Sequence, residues 1–233
     1  MIDPQPSIYI AGIRVDEPMA TLTDVIVSAV CFYAFYRLQK YHRAGRAQFY
    51  FKYYFLLMGI ATFLGGVIGH GFLYLFSFGW KLPGWITSMI SVALIERSAI
   101  AHANPYIKPS IGKFFLVMNL VELTTIMTIT LVTLNFQWVE FHSAYGLLFV
   151  VGSFHLYTYR KTKDRGSLTI LGAIAIVCMA SLTFKFKLSP HVWFNYLDLS
   201  HTLMAIAAYV FYLGATRLQG RQHGSMKLAG TLT

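Results

Sequence analysis

Charge is scarce in this chain, and acid is scarcer. Only 12% of the 233 residues are charged, nine Asp and Glu against nineteen Lys and Arg. A soluble domain of this length carries about twice that charged share, so an ordinary soluble enzyme is excluded. Cysteine is nearly missing. Cys31 and Cys178 both fall in apolar stretches, which excludes a disulfide framework. The first 18 residues contain Asp3, Pro4, Arg14, Asp16 and Glu17 and lack the pattern of a cleaved secretory signal. The first apolar block is therefore expected to act as the insertion signal. No phosphate-binding P-loop, Gly-rich dinucleotide fingerprint, His-Glu-x-x-His or Cys-x-x-Cys occurs. No lysine sits in the middle of the last apolar block, where a retinal Schiff base would need one.

What is present is apolar, at 56% of residues, and it comes in long blocks instead of amphipathic stripes. Roughly 20 apolar residues cross a bilayer as a helix. Seven blocks predict helices at 19–38, 49–75, 85–103, 114–134, 142–159, 168–185 and 196–215. The breaks carry Pro and Gly, as at Leu82-Pro83-Gly84, Asn104-Pro105, Lys108-Pro109 and Ser189-Pro190. The expected fold is an all-α integral membrane protein with seven transmembrane helices. Its organisation is an extracytoplasmic segment 1–18, a membrane domain 19–215 and a disordered cytoplasmic tail 216–233. The stretch Ser7–Val15 predicts a short strand pair or a flap over the outer surface.

Orientation follows from the basic residues. The connections 39–48, 104–113 and 160–166 with the tail 216–233 hold twelve Lys and Arg, the alternate set only three. Basic residues resist translocation, which predicts an outside N-terminus and a cytoplasmic C-terminus. Trp80, Trp85, Trp138 and Trp193 all fall at the predicted outer boundary. The formal charge of +10 thus belongs to membrane topology, and no nucleic-acid partner is expected. The expected location is a bacterial inner membrane. The expected partners are membrane lipids, a lipid-like substrate, and either further copies or a larger membrane complex.

Ionisable groups inside a bilayer cost several kcal/mol, so each asks for a reason. Asp24, His70, His142, Asp198 and His201 come to a similar depth near the outer side, with Asp198 and His201 on one helical face. Asp and His suit Zn²⁺ or a similar ion. This reading makes His70, His201 and Asp198 metal ligands and gives Asp24 or Asp198 the proton of a hydrolytic water. The glycines flanking His70 would let another helix approach closely. A deeper set holds Glu96, Arg97, Asn119 and Glu122, which fits helix packing or a proton or ion path. His102 and His155 lie nearer the cytoplasmic side. Two alternatives stand beside the hydrolase. One is a scaffold, receptor or complex subunit whose polar groups only join helices. The other is a b-type haem or proton-relay protein using pairs among His70, His142, His155 and His201.

The Gly-His-Gly at 69–71 and the segment Asn195–Tyr209 carry a resemblance. The chain resembles the seven-helix membrane hydrolases that include the alkaline ceramidases and the progestin and adiponectin receptors. It is also similar to a bacterial seven-helix family marked by Thr-Asp in helix 1, Gly-His-Gly, and an Asn-Asp-His-like helix 7. The first resemblance implies a zinc site with His70 at the end of helix 2 and His201 in helix 7. Three departures imply that the site is remodelled. Gly66 stands where those hydrolases carry serine, Leu197 stands where they carry the first helix 7 histidine, and no acid follows His70 before helix 3.

Overall fold

The computed structural model describes residues 5–40 and 45–218. Residues 219–233, most of the tail for which the sequence predicts a disordered, cytoplasmic state, lie outside the described residues. The described chain forms seven helices. They are α1 (Pro18–Gln39), α2 (Arg46–Leu64), α3 (Leu82–Ala103), α4 (Pro109–Thr133), a run made of α5 (Gln137–Ala144) and α6 (Gly152–Thr162), α7 (Arg165–Lys185) and α8 (Tyr196–Arg217). A π-helical turn, Gly65–Gly71, extends α2, and another, Tyr145–Val151, joins α5 to α6 without a break.

The local chemistry sets these boundaries. Pro18, Pro83 and Pro109 lie in the first turns of α1, α3 and α4, where a missing N–H leaves no bond unmade. At the start of α8 the Asn195 side chain accepts from the Leu197 N–H (2.9 Å), and Asp198 accepts from the Asn195 N–H (2.7 Å). Together they satisfy donors that no helical carbonyl reaches. Asp164 does the same for α7 by accepting from the Ser167 N–H at 2.7 Å.

Five of the helices are long and apolar enough to cross a membrane: α1, α2 with its π turn, α4, α7 and α8. The outer surface agrees, because large apolar side chains face outward, Val132 being 79% and Phe149 67% exposed. Such a surface marks contact with lipid or with another protein. The interior is lined by Ala20, Ala34, Ala99, Ala103, Ala207 and Ala215 beside Phe51, Phe55 and Phe211. Small residues let helix backbones approach where lipid supplies no hydrophobic drive between them.

Ile8–Ile10 (β1) and Ile13–Val15 (β2) form the expected strand pair, in register Ile8↔Val15, Tyr9↔Arg14 and Ile10↔Ile13. Its two-residue turn, Ala11-Gly12, has positive φ at both positions, which matches the twist of a hairpin. The Tyr74 hydroxyl donates to the Arg14 carbonyl (2.9 Å) and the Asp16 N–H donates to the Gly71 carbonyl (3.0 Å). The hairpin is thereby pinned to the end of the π turn that carries His70.

Candidate metal centre

Asp24 from α1, His70 from the π turn after α2 and His201 from α8 each offer one ligand atom, all within 4.8 Å of one another. The two imidazoles present the same atom to the same carboxylate. His70 Nε2 lies 3.8 Å from Asp24 Oδ2, and His201 Nε2 lies 3.6 Å from Asp24 Oδ1. The ring centroids are 5.7 Å apart, edge to face. These gaps are too long for hydrogen bonds. Ligands around a tetrahedral zinc, with bonds of about 2.0–2.1 Å, stand roughly 3.3–3.4 Å apart. Each histidine–carboxylate gap is a few tenths of an ångström wider than that.

The far side of each ring is committed. His70 Nδ1 is 2.6 Å from Glu17 Oε2, and the carboxylate can only accept. His201 Nδ1 is 3.2 Å from the Thr23 hydroxyl. The single proton of that hydroxyl is directed at the carbonyls of Met19 and Ala20, at 2.9 and 3.1 Å, which leaves its lone pairs to accept from His201. Both rings therefore carry their proton on Nδ1 and turn the Nε2 lone pair toward Asp24. Lone pairs facing a carboxylate repel each other unless a proton or a cation lies between them. An outer hydrogen bond that fixes the tautomer is the usual support of a metal-binding histidine.

The π turn makes room for this. A Cβ on Gly66 would lie 2.8 Å from Asp24 Cβ and 3.0 Å from the Thr21 carbonyl, so α1 approaches this turn directly. Glu17, just before α1, has φ 42, a left-handed conformation costing roughly 1–2 kcal/mol for a residue with a Cβ. The bond to His70 holds the Glu17 carboxyl below the usual carboxylate range, against the opposing effect of burial.

Of the four residues expected to form the site, Asp24, His70 and His201 are together, and Asp198 is not one of their group. Its Oδ2 accepts from the Asn195 N–H (2.7 Å) and from the Gln5 side chain (3.1 Å). Asp198 thus closes the first turn of α8 and ties the N-terminal segment to it. Glu17 was not among the candidates. The signal for it was an acid just ahead of the first apolar block, on the side where the charge after His70 is otherwise missing.

His142, expected at the depth of His70, instead joins Glu96 and Glu122 in a second group whose ligand atoms also lie within 4.8 Å. His155 packs face to face with His102, centroids 5.6 Å apart, and its Nδ1 meets the Ser167 hydroxyl at 3.1 Å. The four histidines considered for haem therefore do not converge; only His70 and His201 do, and they share Asp24.

Asp164 accepts from His102 Nε2 at 3.3 Å as well as from Ser167. Burial pushes its carboxyl upward, but these hydrogen bonds outweigh it and hold the group well below the usual range. A depressed carboxylate stabilises the fold above its ordinary pKa and loses that contribution as pH falls through the depressed value. Asp164→Ala is expected to cost about 1–2 kcal/mol at neutral pH. In urea titrations across pH the difference from the unchanged chain should close in acid; a difference independent of pH sinks the assignment.

Residues 19–220 match the family of unknown function DUF6962. The chain belongs to that family. No curated protein and no solved structure matches it. The match covers all three residues of the centre and leaves out Glu17 and the hairpin.

Proposed function

We propose that this member of the family spans the membrane seven times with its N-terminus outside, and that Asp24, His70 and His201 form a metal centre of a lipid-directed hydrolase. The observation that carries the proposal is the pair of imidazole Nε2 atoms turned on one carboxylate, each ring pinned from behind at Nδ1. Two imidazoles and a carboxylate are the donor set of catalytic zinc sites that keep a position open. Bound there, such an ion supplies Lewis acidity toward a carbonyl oxygen.

The chain's own residues do the rest. Glu17 and Thr23 hold the ring protons, and the π turn sets His70 against α1. His70 and His201 keep 18% and 12% of their side chains exposed, so the centre can be reached. Kinship with the ceramidase-like hydrolases is part of the same proposal. Asp24 fills the space that a serine at position 66 would take, which accounts for that departure. The substrate class is an amide or ester of a lipid-like molecule, met at the outer face of a bacterial inner membrane. The seven-span reading adds α3 and the α5–α6 run to the five apolar helices; Glu96, His142 and His155 in their middle parts are buried, at 1%, 0% and 0% exposed.

The test is zinc content of the full chain purified in detergent, followed by turnover of N-acyl and O-acyl lipids in nanodiscs. His70→Ala and His201→Ala should each lose one equivalent of zinc and all turnover. Zinc unchanged in both variants overturns the centre. Zinc lost with no turnover of either lipid class leaves a metal centre but overturns the hydrolase.

A further inference from the structure

The second group lies on other helices: Glu96 on α3, Glu122 on α4 and His142 on α5. His142 and Glu96 each have one polar atom held by the surrounding protein, and Glu122 meets His142. His142 Nε2 donates to the Met89 carbonyl at 2.9 Å, which leaves Nδ1 for Glu122 Oε1 at 2.7 Å. Glu96 Oε2 accepts from the Asn119 amide at 3.1 Å, and Asn119 is held in turn by the Arg97 guanidinium at 2.7 Å. Glu96 Oε1 and Glu122 Oε2 are buried without a hydrogen-bond partner. Glu96 is 1% exposed, and its Oε1 lies against Gly146, in the space that a side chain there would need. Buried polar atoms are rarely left unpaired, so two such oxygens in one cluster point to a missing partner.

We infer that Glu96, Glu122 and His142 form a second metal site, which takes a divalent first-row cation of the Mn²⁺ or Fe²⁺ type. Two carboxylates and a neutral imidazole sum to a charge of minus two, and one such cation brings the buried cluster to zero. The outer contacts are those a metal site uses: a backbone carbonyl on the far nitrogen of the histidine and an amide on the far oxygen of a carboxylate. Oxygen-rich donors favour the harder cations. Among the described residues the two sites share no side chain.

The test uses the full chain in detergent, stripped with chelator and titrated with Mn²⁺ under electron paramagnetic resonance. The unchanged chain should bind one equivalent of Mn²⁺ that Glu96→Gln with Glu122→Gln removes. His142→Gln should weaken it at least tenfold, and it carries the test alone if the double variant does not fold. His70→Ala should leave this equivalent in place, so failure of the outer centre and failure of this one read separately. Absence of bound Mn²⁺ at millimolar concentration, or binding unchanged in the glutamine variants, overturns the second site and leaves protons as what neutralises the cluster.

Discussion

Glu122→Ala is expected to destabilise the metal-free chain by about 3–5 kcal/mol, the cost of removing one member of a buried ion pair. The geometry explains why the penalty should sit at the upper end for this chain. His142 is fully buried, and its Nε2 is already spent on Met89. Without Glu122 the Nδ1 of this buried ring loses its 2.7 Å partner. The penalty is therefore a stranded polar group more than a lost attraction. The paired change Glu122→Leu with His142→Leu should recover most of the loss, because it removes both groups and fills their volume. A double-mutant cycle in urea, run with chelator present, measures this. Single-variant costs that simply add would show that the pair does not act as a unit.

That pair also shows where sequence reading stops. Hydropathy locates a residue along a span, and it brought His142 to the depth of His70. It says nothing about which neighbour the residue faces. Here the azimuth is set by packing of α5 against α3 and α4, and the π turn Tyr145–Val151 changes the phase of every residue after it. His155 lies beyond that turn and faces His102 and Ser167. For the centre at Asp24, the glycine pattern pointed to the grouping of Asp24, His70 and His201, because the glycines at 65, 66 and 71 leave α1 one side to approach. Asp198 stands apart from that group for a different reason. Its i, i+3 relation to His201 is real, but Asn195 three residues earlier makes it half of a capping box, a local bond that holds its Oδ2 at the start of α8. Glu17 is visible in the sequence as an acid ahead of the first apolar block, but its pairing with His70 is not, because no pattern of residues announces a positive φ for glutamate.

Gly66→Ser should separate the closeness of α1 from everything else in the π turn. The new Cβ would stand 2.8 Å from Asp24 Cβ and 3.0 Å from the Thr21 carbonyl. Neither is the end of a flexible side chain, so α1 itself must move. Overpacking of this kind costs about 1–3 kcal/mol. The same movement draws Asp24 away from both Nε2 atoms, and zinc affinity should fall by about 10–100-fold, the scale of losing a ligand's support. Gly69→Ala is the control. It changes the same turn, one residue before His70, yet a Cβ there meets nothing within 4 Å. Stability and zinc affinity should stay near those of the unchanged chain. If the two variants behave alike, what matters at this turn is backbone freedom and not contact with α1. Asp24 would then owe its place beside the histidines to something other than the missing side chain at position 66.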